Sequence, residues 1–374
     1  MVERRKRVKH RFIISGGGTG GHIFPAVAIA NQIKAREPEA EILFVGAEGK
    51  MEMEKVPAAG YKIVGLKIQG IKRSMSISNL MVPFKLIGAL RDASRIIKDF
   101  KPDAVIGVGG YASGAVLFSA AQKGIPTLIQ EQNSFPGITN RILSRRVKRI
   151  CVAYEGMERF FPAAKIVLTG NPVRSEIVAP SSAREEAFDF FELDGGRFTV
   201  LVVGGSLGAR SVNNAMASCV RKLVENGIQV LWQTGKGNTE QAREAVQNLG
   251  AGVKVHEFIA RMDLAYAVAD LVVSRAGAIA VSELCLVKKP CILVPFPFAA
   301  EDHQTSNAKS LSDNGAAILL RDDVVKDKLG AEILALYSDE SRRKQMTEAM
   351  AKLGRPDAAE HITNEIFNLI EARK

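Results

Sequence analysis

The sequence predicts an α/β protein made of two Rossmann-like halves in succession, and three observations carry that reading. Short apolar runs rich in β-branched residues alternate with helical stretches from His10 to about Asn171. The alternation starts afresh at Arg197. Three strands run directly into glycine-rich turns that open helices: "RFIISGGGTGGHIFPAVAIA", "VIGVGGYASGAVLFSAA" and "VLVVGGSLGARSVNNAM". Such alternation is the pattern of βαβ units and a largely parallel sheet. At 374 residues the chain is longer than a single core usually holds, so its length agrees with two domains.

Taken in order, the chain begins with the basic stretch "VERRKRVKHR", expected to be a frayed arm. A secretory signal is not expected there, because "GGGTGGH" breaks the apolar core that such a signal needs. The first half then offers "RFIIS", "AEILFVG", "YKIVGLKI", "DAVIGVG", "PTLIQEQ", "RICVAY" and "KIVLTG" as strands. "LTGNPVRSEIVAPSS", with Pro172 and Pro180, reads as the interdomain connection. The second half offers "RFTVLVVGG", "IQVLWQTG", "VKVHEFI", "LVVSRAG", "PCILVPF" and "AAILLRD". "PDAAEHITNEIFNLIEARK" is helical and expected to pack back on the first half. The expected domains are therefore 1–172, joined by a helix at about 356–374, and 173–355.

Composition narrows the function. With 47% hydrophobic and 24% charged residues the chain is globular in character. No run approaches the roughly 18 apolar residues of a spanning helix. Cys151, Cys219, Cys285 and Cys291 form no CxxC pair and lie at no metal-ligand spacing, so they read as small core residues. The balance of 51 Lys+Arg against 40 Asp+Glu, a net +11, favours an anionic partner: a nucleotide, a phosphate-bearing lipid, an acidic membrane or a nucleic acid. Nucleic acid is the weakest of these, since no recognition motif accompanies the charge.

Glycine-rich turns let backbone N–H groups approach an oxyanion, and the positive end of the following helix favours its charge. The first turn satisfies GxGxxG through Gly16, Gly18 and Gly21, but a dinucleotide site expects an acidic residue at the end of the second strand, and neither Glu41 nor Glu48 is well placed. No GxxxxGK[ST] loop occurs. A better ribose partner is Glu283, within the first two turns of a helix that "SRAGAIAVSELC" starts at about Gly277. Taken alone, Glu283 reads as an exposed helix charge. Its case rests on "PFPFAAEDHQTSNA", whose His303 and Gln304 follow the next strand end, where ligands of open α/β sheets gather.

The segments "GGGTGGHIFPAVAIA", "VGGYASG", "QEQNSFPGITNR", "LTGNPVR", "VVGGSLGAR", "HEFI", "RAGAIAVSE" and "PFPFAAEDHQTSNA", in that order from about His10 to Gly315, resemble the MurG family, whose members add N-acetylglucosamine to lipid I in peptidoglycan synthesis. The resemblance implies a GT-B glycosyltransferase fold, two Rossmann-like domains facing across a cleft, with the donor on the C-terminal domain and the acceptor mainly on the N-terminal one. It assigns Ile259 to the uracil through its backbone and Glu283 to the ribose hydroxyls. It gives the pyrophosphate to Ser206 and to the helix start through Ala278, Ile279, Ala280, Val281 and Ser282. Thr19, Gly20, Gly21, Asn133, Arg174 and Gln304 would surround the transferred sugar and its phosphate. His22 and Glu131 lie nearest the expected acceptor hydroxyl, and the sequence does not separate a base from an orienting group; His22 also reads as a helix cap. Two positions depart from the family pattern: Ala280 stands where a hydroxyl residue is expected, and Gln130 where a histidine is common.

The implied reaction inverts the anomeric carbon, with a base taking the proton of the acceptor's C4 hydroxyl as UDP leaves and no metal required. The acceptor would be undecaprenyl-linked lipid I, reached peripherally at the cytoplasmic face of the bacterial plasma membrane. For that surface the sequence offers Leu80, Met81, Phe84 and Ile87 beside Lys72, Arg73, Lys85 and Arg91, each basic residue worth about 1 kcal/mol near anionic lipid. An ordinary amphipathic helix would claim some of these for the core. The competing readings are a UDP-sugar epimerase or another transferase of the same architecture, and a non-catalytic nucleotide- or membrane-binding protein.

Overall fold

The computed structural model describes residues 9–68, 82–174, 177, 183–205 and 207–373, with the side chains of 82–85 and 300 left aside. The chain divides into two compact units, Met1–Val173 with Pro356–Lys374, and Arg174–Arg355.

The first unit runs β1 (Arg11–Ser15), α1 (Gly20–Arg36), β2 (Glu41–Ala47), α2 (Glu52–Ala58), β3 (Lys62–Leu66), α3 (Val82–Phe100), β4 (Ala104–Gly107), α4 (Tyr111–Gln122), β5 (Thr127–Glu131), α5 (Ile138–Leu143), β6 (Arg149–Val152) and β7 (Ile166–Leu168). The second runs α6 (Ala183–Phe191), β8 (Thr199–Val203), α7 (Arg210–Glu225), β9 (Gln229–Gln233), α8 (Thr239–Val246), β10 (Val253–His256), α9 (Met262–Val268), β11 (Leu271–Ser274), α10 (Ala278–Val287), β12 (Cys291–Leu293), α11 (His303–Ser312), β13 (Ala317–Leu319), α12 (Val325–Ser338) and α13 (Glu340–Leu353). The chain then returns to the first unit as α14 (Ala358–Glu371).

Both sheets are parallel, in the orders β3-β2-β1-β4-β5-β6-β7 and β10-β9-β8-β11-β12-β13. Each order reverses beside its first strand, between β1 and β4 and between β8 and β11, and such a switch point is where an open α/β sheet leaves a crevice for ligand. The central strands are apolar in their middle residues, as strands covered on both faces must be, with polar residues at their ends. In the first unit Ile13, Val105 and Ile129 face Ala93, Ile97 and Leu117. Phe12, Ile14, Ile106 and Leu128 face the other way, onto Ile23, Ile29 and Ile33 of α1 and Ile362 and Ile366 of α14. In the second unit Val200, Val202, Val230 and Trp232 pack on Val212 and Met216 of α7 and Leu329 and Ile333 of α12. Trp232 is fully buried, and its indole N–H donates to Asn213 Oδ1 at 3.0 Å.

On α3 the core takes Ala89, Ala93 and Ile97, a stripe at fourfold spacing, while Leu86 and Ile87 are exposed. Ile87, Leu90 and Arg91 line a groove of about 410 Å³ with Phe118 of α4. No helix among the described residues is long and apolar enough to cross a membrane.

Candidate active site

In the first unit the turn after β1 is shaped from behind by a residue that sequence reasoning missed. Glu52, at the start of α2, is buried; its Oε2 accepts the Gly18 N–H at 2.8 Å and its Oε1 accepts the Ala47 N–H at 3.0 Å. A Cβ on Gly17 would lie 2.1 Å from Glu52 Oε1, so this approach requires glycine there. Thr19 caps α1 with its carbonyl, which accepts from the N–H groups of His22 and Ile23. Pro25, inside α1, has no N–H to offer the carbonyl of Gly21. His22, in the first turn, places Nδ1 2.9 Å from the Gly17 carbonyl. A carbonyl oxygen only accepts, so Nδ1 carries the proton and the ring donates to the loop instead of capping helix N–H groups. The Nε2 edge lies against the turn after β4, where a Cβ on Gly109 (φ +102°) would come within 2.8 Å of it.

Glu131 ends β5 and is 1% exposed. Its Oε1 accepts from the Asn133 backbone at 3.0 Å and its Oε2 from Gly137 N at 3.2 Å and Asn140 Nδ2 at 2.8 Å. Burial pushes its pKa up, against the pull of these donors. The carboxylate thus holds the 133–140 loop, and Asn133 is tied to it through both its backbone and its side chain. Gln130, where the family pattern has histidine, is wholly buried in an amide network: its Nε2 donates to Asn171 Oδ1 at 2.9 Å, Asn171 donates to the Gln132 carbonyl, and Gln132 Nε2 donates to the Val108 carbonyl. That network ties the ends of β4 and β5 to the segment after β7.

In the second unit Glu283 is not the exposed charge that its helix position alone suggests. It is 9% exposed, in the second turn of α10. Tyr266 of α9, itself buried, donates its hydroxyl to Glu283 Oε2 at 3.2 Å, and Arg174 Nη2 lies 3.9 Å from Oε1. Burial raises the Glu283 pKa, opposed by the Arg174 charge and the Tyr266 hydrogen bond. Gly277, in extended conformation, is the N-cap of α10; Ala278 and Val281 are buried, Ile279, Ala280 and Ser282 partly so, and Ser282 Oγ donates to the Ala278 carbonyl at 3.0 Å. Ile259 is buried, and its N–H is taken by Gln233 Oε1 at 3.0 Å. Beside it Phe258 is 61% exposed. Gln304 Oε1 accepts the Phe296 N–H at 3.0 Å. Just before it Glu301 (φ +55°) and Asp302 (φ +53°) are both left-handed, strain that non-glycine residues carry mainly at functional sites.

Ser206, Lys72, Arg73, Leu80 and Met81 lie outside the described residues, as do the side chains of Phe84 and Lys85. Within the first unit His22, Thr19, Gly20 and Gly21 share one turn, and Glu131 and Asn133 share the end of β5, two strands across the sheet from β1. Within the second, Arg174 meets Glu283. Sequence reasoning missed Glu52, Tyr266 and Gln233. The signal for Glu52 was an acidic residue set between Met51 and Met53 just past the second strand. Tyr266 and Gln233 gave none, being apolar-strand and apolar-helix neighbours by pattern. Among the described residues no group of three or more His, Cys, Asp or Glu stands close enough to hold a metal ion.

Residues 12–152 match the glycosyltransferase family 28 N-terminal domain and residues 199–362 the glycosyltransferase family 28 C-terminal domain. The chain is 51% identical over 376 residues to the UDP-N-acetylglucosamine–N-acetylmuramyl-(pentapeptide) pyrophosphoryl-undecaprenol N-acetylglucosamine transferase of Porphyromonas gingivalis, covering 100% of this chain and 99% of that one. It is 53% identical over 361 residues to the transferase of the same name from Cytophaga hutchinsonii, covering 96% and 97%. Among solved structures, Acinetobacter baumannii MurG matches with a TM-score of 0.79 and 31% identity, covering 96% of this chain and 100% of that one. A UDP-GlcNAc 2-epimerase from Neisseria meningitidis, bound to UDP-GlcNAc, matches with a TM-score of 0.66 but 14% identity, a likeness of fold alone. Two parallel Rossmann-like units, two family 28 domains in order and half-identity across the full length agree on one assignment: the chain belongs to the MurG family of glycosyltransferase family 28, in the GT-B fold class.

Proposed function

We propose that this chain transfers N-acetylglucosamine from UDP-N-acetylglucosamine to the C4 hydroxyl of the N-acetylmuramyl group of lipid I, giving lipid II for peptidoglycan synthesis. The observation that carries the reading is full-length identity of about half to transferases of that name. It is supported by a buried carboxylate, Glu283, at the N-terminal part of α10, the chemistry that a ribose diol needs.

In this reading UDP lies on the second unit. Glu283 accepts the ribose hydroxyls. The N-terminus of α10, from Ala278 to Ser282, and the turn holding Ser206 take the pyrophosphate and stabilise UDP as it leaves, without a metal. The Ile259 carbonyl accepts from uracil N3–H, and Phe258 is the aromatic surface beside it. Gln304, Arg174, Asn133 and the Thr19–Gly21 turn serve the transferred sugar and its phosphate. His22 is the base: with Nδ1 protonated and held by Gly17, Nε2 takes the C4 hydroxyl proton as the glycosidic bond forms. Glu131 is a positioning residue for the 133–140 loop, since its oxygens already accept from Asn133, Gly137 and Asn140.

The lipid acceptor places the enzyme at the cytoplasmic face of the plasma membrane. The exposed Leu86 and Ile87 of α3 with Arg91 support such a surface, which would take in Lys72, Arg73, Leu80, Met81, Phe84 and Lys85 as well. The test is transfer of radiolabelled sugar from UDP-N-acetylglucosamine to a lipid I analogue, run with and without EDTA. Labelled lipid II in both arms is the expected result. No transfer, with a new UDP-sugar formed in the absence of acceptor, establishes the epimerase reading instead.

A further inference from the structure

The Gly17–Gly18 peptide is held at both ends by ionisable side chains. Its N–H donates to Glu52 Oε2 at 2.8 Å, and its carbonyl accepts from His22 Nδ1 at 2.9 Å. A peptide is one polarisable unit: a negative charge on its N–H side pushes electron density to its oxygen and strengthens the bond accepted there. The arrangement is that of a carboxylate holding a histidine, with one peptide group inserted between them. We propose that Glu52 acts through this peptide on His22, fixing the Nδ1–H tautomer and raising the basicity of Nε2. The proposal rests on the reading of His22 as the base.

The rest of the site is built for the contact. The second Glu52 oxygen is pinned by the buried Ala47 N–H, so the side chain cannot swing away without leaving that donor unmet as well as the Gly18 N–H. Gly17 admits the carboxylate, and Gly109 admits the Nε2 edge of the ring; neither position has room for a Cβ. Gly110 packs on the Gly17 carbonyl from the other side, where a Cβ would come within 2.8 Å of that oxygen. Backbone groups of Gly17 and Gly109, which do not titrate, are among the groups against the ring. Glu52 is the charge behind the peptide on α2, and Glu131, at the same sheet edge on β5, is committed to its own loop. When Nε2 takes a proton, the imidazolium is stabilised by the Glu52 charge through the peptide dipole; no proton reaches Glu52. The same bond sets this GxGxxG turn apart from a dinucleotide loop: the N–H of Gly18, which a pyrophosphate would use, is already filled by the protein's own anion.

The test compares the full-length protein with its Glu52→Gln variant. We expect kcat to fall about 10- to 100-fold, the loss usual for an outer partner of a functional histidine. The acidic limb of the pH–rate profile moves to lower pH, because a weaker base stays unprotonated further down. UDP affinity, a property of the second unit, holds and shows that the variant is folded. Glu54→Gln, two residues on and largely exposed, leaves all three unchanged. In protein with ¹⁵N-labelled histidine, His22 is expected as the Nδ1–H form in the parent and as a mixture of tautomers in Glu52→Gln; identical His22 nitrogen shifts and midpoint in the two proteins overturn the relay. If Glu52→Gln does not fold, the parent still decides: the Gly18 amide resonance must titrate with the His22 midpoint, and a Gly18 amide that stays fixed across it overturns the proposal. Failure of the underlying reading looks different. His22→Ala then retains kcat within a few-fold, while the spectra continue to report on the relay.

Discussion

At the end of β1 the glycine turn of the first unit meets a carboxylate, Glu52 on the Gly18 N–H; at the end of β8 the corresponding turn of the second unit meets an amide, Gln233 Nε2 on the Gly205 carbonyl at 3.1 Å. The strand order around the two turns is the same. In the first unit the internal carboxylate takes an N–H that an anion could have used, and the turn becomes a platform for His22. In the second the partner is neutral and binds a carbonyl, the same oxygen that accepts the Gly208 N–H, and no carboxylate accepts from the turn's described N–H groups. Glu283 repeats the lesson. As a buried carboxylate on α10 it is held by Tyr266 and faced by Arg174, a setting for hydroxyl groups, whereas Glu52 is held only by backbone. A glycine-rich turn therefore does not name its ligand; the residue packed behind it does.

If the division of labour holds, substitutions in one unit leave the other's measurement untouched. The largest effect belongs to His22→Ala. We expect kcat to drop by about two orders of magnitude or more with the acidic limb of the pH–rate profile abolished, while UDP binding by calorimetry is unchanged. Weakened UDP binding would break the comparison. Next is Glu283→Ala, which removes a charge-assisted partner worth about 1.5 to 3 kcal/mol and should weaken UDP binding by roughly one to two decades. Because Tyr266 then loses a buried acceptor, the ligand-free protein should also melt a few degrees lower. A mutant with unaltered UDP affinity removes Glu283 from the donor site.

A pH effect comes third. Burial raises the Glu283 pKa above the ordinary carboxylate value, and ribose hydroxyls donate only to the ionised form. UDP affinity should be level at high pH and decline on acidification, beginning at higher pH than an exposed glutamate would give. The stability of the ligand-free protein runs the other way: a raised pKa in the folded state contributes stability that is present below the unfolded value and lost as pH rises through the folded one. Titration calorimetry of Glu283→Gln should show that pH dependence flattened, and a slope equal to the parent's places its source elsewhere. The smallest effect is expected from Tyr266→Phe, where one hydrogen bond worth about 0.5 to 1.5 kcal/mol goes and UDP affinity falls roughly 2- to 10-fold. The rate of sugar transfer at saturating UDP-N-acetylglucosamine should be close to the parent's.

The strands were legible because parallel strands covered on both faces must be apolar along their length, and each of the expected runs, from "RFIIS" to "AAILLRD", contains one. The turns were legible for a related reason, since glycine is required where backbones approach. The partners of those turns were not. Glu52 lies 34 residues from the N–H it accepts, and Tyr266 lies 17 residues from Glu283 on another helix. No local period relates such residues. Glu48, nearest the position where a dinucleotide site carries its acid, lies one helical turn short of Glu52, and the GxGxxG pattern points to no acid beyond it. Glu283 was legible as a carboxylate near a helix start, but its burial was not, because helix position alone does not report what another helix, here α9, lays over it.

α14 carries a consequence for how the molecule is made. Its Ile362, Ile366, Phe367 and Ile370 cover Phe12 and Ile14 of β1, about 350 positions earlier in the chain. On a ribosome the strand emerges first and waits, that face covered by α1 but not yet by α14, while the whole of Arg174–Arg355 is synthesised. The second unit, contiguous in sequence, can close its core in the meantime. The first can be finished only afterwards, so the half of the protein that begins to form earliest is the later to mature, and the part of its face still lacking α14 is the surface that a chaperone would meet on the nascent chain.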